Sequence, residues 1–354
     1  MRIKREAVSR SNRRVVREGR AAAPGRPLWL FLTEPGLGPL LIKELKFIDA
    51  IAQKAQLAKL HLRNYDLLIA PDAVLTSRTM TPRLASHALI CPVFGRERVS
   101  EHQFDQLAAF ALREKSSSLV RSIAGERLSG PEFERLVARS LVDRGVRFAR
   151  EPGRAMWLLA VDEKYYFGFP RFNYHEAKGR ERISEREGSL PPVVAAAIVF
   201  AGKPVSGDVI WDPVMGTGTL LTEASAFVPQ ARLIGSDIDP DAVAMARKRL
   251  GTGARLIRAE VAHMSLKNEK ISLTVANLPF GKKFVSADGN KSLYESVLRR
   301  SLAHATDNWR ACLLTTDADA LRESVDAVGH LVLSKITDVD VRGLRATIWL
   351  VARK

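Results

Sequence analysis

Hydrophobic positions change their period along this chain, and the changes mark out its elements. The first 27 residues carry no apolar period. Leu28-Trp29-Leu30-Phe31-Leu32 is then a continuous apolar run, which predicts a buried strand. Pro35-Gly36 breaks it, and Leu37, Leu40, Leu41 and Leu45 follow at the spacing of one helix face. Phe133, Leu136, Val137 and Leu141 predict an amphipathic helix over Glu132 to Gly145, with Gly145 as its stop. Met156–Val161 and Tyr165–Phe169 predict a hairpin around Asp162-Glu163-Lys164. Residues 28–175 therefore read as an α+β domain without a phosphate loop.

After Ser189-Leu190-Pro191-Pro192 the pattern changes. Prolines in a first helical turn cost nothing, because those N–H groups lack partners anyway. With Ser189 as cap, Val193–Phe200 predicts a strongly apolar helix. Strands at Val209–Trp211, Leu233–Ser236, Leu256–Arg258, Leu273–Ala276 and Ala311–Thr315 then alternate with helices at Leu220–Phe227, Pro240–Leu250 and Lys291–Ala305. Such alternation predicts a parallel sheet covered on both faces. His330–Val339 and Arg345–Arg353, joined by a short Gly343 turn, predict an antiparallel pair at the sheet end.

Composition narrows the class. With 354 residues, 46% hydrophobic and 27% charged, the chain suits two globular domains and excludes wholesale disorder or a collagen-like fold. The longest apolar run, Val193 to Ala201, falls short of the ~20 residues that a membrane-spanning helix needs. Cys91 and Cys312 are far apart, with no Cys-x-x-Cys or His-x-x-x-His spacing, so no metal site is expected. The expectation is a soluble protein of a reducing compartment, the cytoplasm.

Charge adds a partner. Lys and Arg number 55 against 39 Asp and Glu, a net +16. The first 27 residues hold nine basic side chains against Glu6 and Glu18, so +7 lies in a basic arm expected to be disordered, with a transit peptide as the other reading. The remaining +9 favours a polyanion, since each neutralised phosphate releases counterions. Solubility charge in an Arg-rich proteome is the alternative. The polar, charged stretch from Asn173 to Gly188 suits a linker, over 176–188, or a surface facing phosphates.

Three motifs carry chemistry. Asp212-Pro213-Val214-Met215-Gly216-Thr217-Gly218 lies between a strand and a helix. Its glycines let a ligand lie against bare backbone, but the anion before them suits a cationic ligand better than a diphosphate. Asp237, 19 residues after Gly218, stands where an acid at the next strand end grips ribose hydroxyls. Capping of the following helix is its bland role, and Asp239 fits that role better. Glu260, one strand further, is placed to meet an adenine amine, or is simply an exposed glutamate. Asn277-Leu278-Pro279-Phe280-Gly281 ends the fourth strand, 59 residues after Gly218. There the Asn277 amide oxygen and the Leu278 carbonyl can each accept one N–H of a planar amine, aiming its lone pair, while Phe280 stacks on the base.

With these residues the chain resembles the class I S-adenosyl-L-methionine-dependent N-methyltransferases, and more narrowly the THUMP-containing RNA guanine-N2 methyltransferases. The resemblance covers 189–354 well. It implies an α/β, Rossmann-like class I methyltransferase sheet closed by a terminal antiparallel β-hairpin, behind an N-terminal α+β domain that is ferredoxin-like or THUMP-like. Carried over by position, Asp212 with the backbone of Gly216, Thr217 and Gly218 would hold the methionyl part of the cofactor. Leu190 would touch it from the preceding helix, Asp237 would hold ribose, Ile238 would belong to the cofactor site, Glu260 would approach adenine, and Asn277, Leu278, Pro279 and Phe280 would receive the target base. Family members usually have Phe-Cys or Met-Cys where this chain has Val214-Met215. The expected substrate is structured RNA, tRNA first and large-subunit rRNA second, with a flipped or unpaired guanine entering the pocket. Adenine-N6 methylation, a protein glutamine substrate and a non-catalytic RNA-binding relative are the competing readings.

Overall fold

The computed structural model describes residues 26–62, 64–76, 81–96, 98–114, 118–124, 131–147, 155–161, 164–173, 189–266, 269–279 and 289–354. The expected basic arm and charged linker lie outside the described residues, apart from Arg26 and Pro27. The elements in chain order are β1 (Leu28–Thr33), α1 (Gly38–Phe47), β2 (Ala58–His61), β3 (Asp66–Pro71), β4 (His87–Arg96), α2 (Glu101–Arg113), β5 (Ser118–Ala124), α3 (Pro131–Val142), β6 (Ala155–Val161) and β7 (Lys164–Asn173). They continue with α4 (Pro192–Ala201), β8 (Val209–Asp212), α5 (Thr219–Phe227), β9 (Arg232–Asp237), α6 (Pro240–Leu250), β10 (Ala254–Arg258), β11 (Ile271–Asn277), α7 (Gly289–Ala303), β12 (Ala305–Thr315), α8 (Ala318–Val328), β13 (Leu331–Val341) and β14 (Leu344–Arg353).

The first seven strands form one sheet in the order β2-β3-β1-β4-β7-β6-β5. The apolar run of β1 is buried at every position because it lies inside this sheet, antiparallel to both β3 and β4. Leu40, Leu41 and Leu45 turn the predicted face of α1 into the core. The first turn of that helix has no cap of its own; the buried Asp66 carboxylate of β3 accepts the N–H groups of Gly36 and Gly38 instead. The predicted hairpin forms as β6 and β7. On α3, Val137 and Leu141 are buried, but Leu136 is 53% exposed and does not join the core face. Phe133, Val137 and Leu141 recur every four residues and suffice for that face, leaving Leu136 beside it.

The second sheet has the order β10-β9-β8-β11-β12-β14-β13. Strands β10, β9, β8, β11 and β12 run parallel to one another, and β14 runs antiparallel to both β12 and β13. This is a methyltransferase-like α/β sheet with the expected hairpin at its end. Ser189 does not cap α4: the flanking position is Pro191 and no side chain caps the helix. The register of the helix starting at Pro192 leaves the Ser189 hydroxyl 3.5 Å from that of Thr217 instead. The helix expected to reach Ala305 ends at Ala303, because the chain enters β12 at Ala305. No helix among the described residues is long and apolar enough to cross a membrane.

The two halves share a core. Helix α4 is buried on nearly every side, and its Val194 and Ile198 belong to one cluster with Trp29, Phe31 and Leu41 of the first half and Val339 and Ile348 of the terminal hairpin. Polar contacts cross the same boundary: Thr337 donates to the Gly36 carbonyl at 2.8 Å, and Arg83 pairs with the buried Glu223 of α5 at 2.7 Å.

Glu34 sits at this boundary, and burial, with the charge of Asp340 adding to it, pushes its carboxyl up from 4.5 to about 7. Ionisation is therefore costlier in the folded chain than in the unfolded one. The folded state holds the proton more tightly, so this group's contribution is most favourable below pH 4.5 and declines as pH rises to about 7. Glu34→Gln removes the ionisation cost. Urea unfolding should find the variant more stable than wild type by on the order of 2 kcal/mol at pH 8, with most of that gap gone at pH 4.5. An equal gap at both pH values would show that ionisation of Glu34 is not the cause.

Candidate active site

Parallel pairing brings the carboxyl ends of β10, β9, β8 and β11 to a single edge. The strand order reverses between β8 and β11, the place where open α/β sheets form a ligand crevice. A cavity of about 460 Å³ opens there, and Leu190, Asp212, Gly216, Thr217, Asp237, Ile238, Glu260, Asn277 and Pro279 all line it. These nine positions, drawn from four strand ends and the entry to α4, were each expected at one site. Two expected positions do not line it. Gly218 starts α5 with φ +82° and faces Ala246 and Leu250 of α6. The side chain of Leu278 is buried in the core. Phe280 lies outside the described residues.

Asp212 is wholly buried. Its Oδ1 accepts the Val214 N–H at 3.2 Å, while Oδ2 has no hydrogen-bond partner. Burial raises its carboxyl well above the usual range, opposed by the Val214 N–H and reinforced by the Asp237 carboxylate. Asn277 Oδ1 is likewise buried without a partner. Among the described residues only four buried side-chain polar atoms lack partners, and these two belong to residues that line one cavity. Buried polar groups are normally satisfied, so a pair of orphans in a cleft marks where a ligand completes the bonding. An ammonium beside Asp212 and an N–H donor beside Asn277 meet that need. The donor set therefore fits the expected amino-acid sulfonium cofactor and an amine substrate.

Asp237 makes two backbone bonds that the sequence did not announce. Its Oδ2 accepts the Gly216 N–H at 2.8 Å and its Oδ1 accepts the Asp239 N–H at 2.9 Å. The Gly218 N–H is also engaged, donating to the Met215 carbonyl at 2.9 Å. Of the loop's expected backbone donors, those of Gly216 and Gly218 are thus turned inward to hold the loop. Each carboxylate oxygen of Asp237 keeps a second lone pair for hydroxyl groups. Asp239 caps α6 by accepting the Asp241 N–H, as expected. Glu260 is exposed and lies 3.3 Å from His263 Nδ1.

Val214-Met215 departs from the usual loop sequence, yet the loop is well packed. Met215 is buried, and its sulfur fills the space over Gly235, where an added Cβ would lie 2.4 Å from Sδ. Sequence reasoning missed Arg249, whose Nη1 donates to Thr219 Oγ1 at 2.7 Å and approaches Thr217 Oγ1 at 3.4 Å, bracing the loop from α6. It also missed Leu293, which closes the cavity from α7. Neither carries a motif; both arrive through helix packing.

Residues 180–344 match the family model described as RMKL-like, methyltransferase domain. A tRNA (guanine(6)-N2)-methyltransferase of Thermus thermophilus is 27% identical over 318 residues, covering 84% of this chain and 92% of the relative. The bovine tRNA (guanine(6)-N(2))-methyltransferase THUMP3 is 28% identical over 183 residues, covering 47% of this chain. The chain spans only 36% of that bovine protein's length. The crystal structure of TrmN from Thermus thermophilus superposes with a TM-score of 0.74 at 22% identity, covering 93% of this chain and all of that one.

Proposed function

We propose, from the premise that residues 180–344 match the RMKL-like methyltransferase domain model, that this chain transfers a methyl group from S-adenosyl-L-methionine to the N2 amine of a guanine in tRNA. The observation that carries this reading is the meeting of Asp212, Asp237 and Asn277 in one cavity, with Asp212 Oδ2 and Asn277 Oδ1 both unpartnered. The relatives named for tRNA guanine-N2 methylation support the choice of base and RNA.

The cofactor supplies an electrophilic methyl group on a sulfonium. Asp212 would hold its ammonium and Asp237 its ribose, with Ile238 lining the same cavity and Glu260 near the adenine. Asn277 Oδ1 and the Leu278 carbonyl accept the two N–H bonds of the guanine amine. That turns the nitrogen lone pair, otherwise conjugated with the ring, toward the methyl group. Phe280 stacks on the base. The first seven-stranded sheet with its helices, in this reading a THUMP-like RNA-binding domain over 28–175, presents the tRNA to the pocket of 189–354. The basic arm over 1–27 and the linker over 176–188 add phosphate contacts.

The test incubates purified chain, cofactor and tRNA, then digests the RNA and identifies its nucleosides by mass spectrometry. The expected product is N2-methylguanosine. N6-methyladenosine, or methyl transfer to rRNA but not tRNA, would overturn the assignment. Asp237→Ala removes both a ribose partner and the acceptor of the Gly216 N–H. Hydrogen bonds to charged groups contribute ~1.5–3 kcal/mol, so calorimetry should find cofactor affinity reduced roughly 10- to 100-fold. Unchanged affinity would remove Asp237 from the cofactor site.

A further inference from the structure

Tyr294 of α7 is fully buried among Leu278, Val297, Leu298 and Leu313. An aromatic ring suffices for that packing, and a phenol at such depth is costly unless its hydroxyl is paired. It is paired twice, lying 3.0 Å from the Pro279 carbonyl oxygen and 2.7 Å from Thr315 Oγ1. Thr315 Oγ1 in turn accepts the Asp317 N–H at 2.9 Å. The ends of this chain fix its direction, because a carbonyl can only accept and a backbone N–H can only donate. Asp317 N–H therefore donates to Thr315, Thr315 donates to Tyr294, and Tyr294 donates to Pro279. Burial pushes the phenol up to about 12, so this donor persists through neutral pH.

A second bond holds the same loop from the other side: the Leu278 N–H donates to the Leu314 carbonyl at 3.0 Å. Between these two pins lies a single peptide unit, the one joining Leu278 to Pro279. Its carbonyl is the second acceptor that the proposed reaction needs. We infer that Tyr294 is a positioning residue for methyl transfer: its bond to Pro279 fixes the Leu278–Pro279 peptide so that the Leu278 carbonyl and Asn277 Oδ1 are presented to the amine together. This inference rests on the function proposed above. Nothing in the spacing of Tyr294 announces the role, since in sequence it is one apolar position of a helix beyond the motif.

Tyr294→Phe keeps the ring and removes the strap. Small misplacements of reacting groups cost up to ~100-fold, so kcat on tRNA should fall roughly 10- to 100-fold. Cofactor affinity by calorimetry and KM for tRNA should stay within about twofold, because the ring still fills its site and the cofactor residues are untouched. Wild-type kcat in Tyr294→Phe overturns the inference. So does a fall in which kcat, cofactor affinity and Tm decline together, which would make the residue merely structural. Should Tyr294→Phe not fold, Thr315→Val removes the donor to the phenol and leaves the ring in place. It must then lower kcat about two- to fivefold at constant cofactor affinity, and an unchanged kcat overturns the inference. The wild-type arm of the same nucleoside digest reports on the function itself. A wild type that forms no N2-methylguanosine sinks the parent reading, whereas one that forms it while Tyr294→Phe retains full turnover sinks only the strap.

Discussion

Asn277→Ala should lower kcat on tRNA by about a thousandfold while leaving cofactor affinity within about twofold. The amide oxygen touches none of the groups assigned to the cofactor, and its work is to hold one N–H of the amine. The same change should not destabilise the protein. Asn277 Oδ1 is buried without a partner, so the folded chain already bears its desolvation cost. Removing an unpaired buried polar atom is neutral or stabilising, in contrast to removing one half of a pair. Turnover and Tm should therefore move independently, turnover falling steeply and Tm holding or rising. Wild-type turnover in Asn277→Ala would show that the amine is received elsewhere.

Much of the site was legible because it is built from strand ends. In a parallel sheet the carboxyl ends of successive strands share one edge, so Asp212, Asp237 and Asn277 could be assigned to one crevice from spacing alone. What stayed illegible depends on how helices pack over that edge. Arg249 reaches Thr219 from the last turn of α6, and Tyr294 reaches Pro279 from α7, and neither distance follows from any period in the sequence. Asp237 shows the intermediate case: its position was readable, but its bond to the Gly216 N–H was not.

The first half was legible only where its pattern was clean. The runs that became β1, α1, β6 and β7 are strongly apolar or strictly periodic. Strand β4 contains Cys91-Pro92, and its pairing with β7 shifts register, so its alternation is broken and no strand was expected there. Helix α2 had a usable signal that went unread: Ser100 and Gln103 form a reciprocal capping box, Ser100 accepting the Gln103 N–H and the Gln103 side chain accepting the Ser100 N–H. Ser189 misled in the opposite sense, since a serine ahead of two prolines looks like a cap but lies two residues before the N-cap position, Pro191, of the helix that forms.

Gly36→Ala should cost about 4 kcal/mol or more of stability, measured by urea unfolding. Gly36 has φ +94°, a conformation that an L side chain resists, and a Cβ there would lie 1.9 Å from the Asp338 carbonyl oxygen of β13. That neighbour is backbone and cannot rotate away. The same residue accepts from Thr337 Oγ1 and donates to the Asp66 carboxylate, so any retreat of its backbone breaks bonds in both halves of the molecule. Strain and collision can be separated with Gly343→Ala. Gly343 has φ +87°, nearly the same backbone, but a Cβ there meets nothing within 4 Å. It should lose only the left-handed penalty of ~1–2 kcal/mol. A Gly36→Ala variant no worse than Gly343→Ala would mean that β13 can yield, and that Gly36 does not rivet the first sheet's loop to the terminal hairpin.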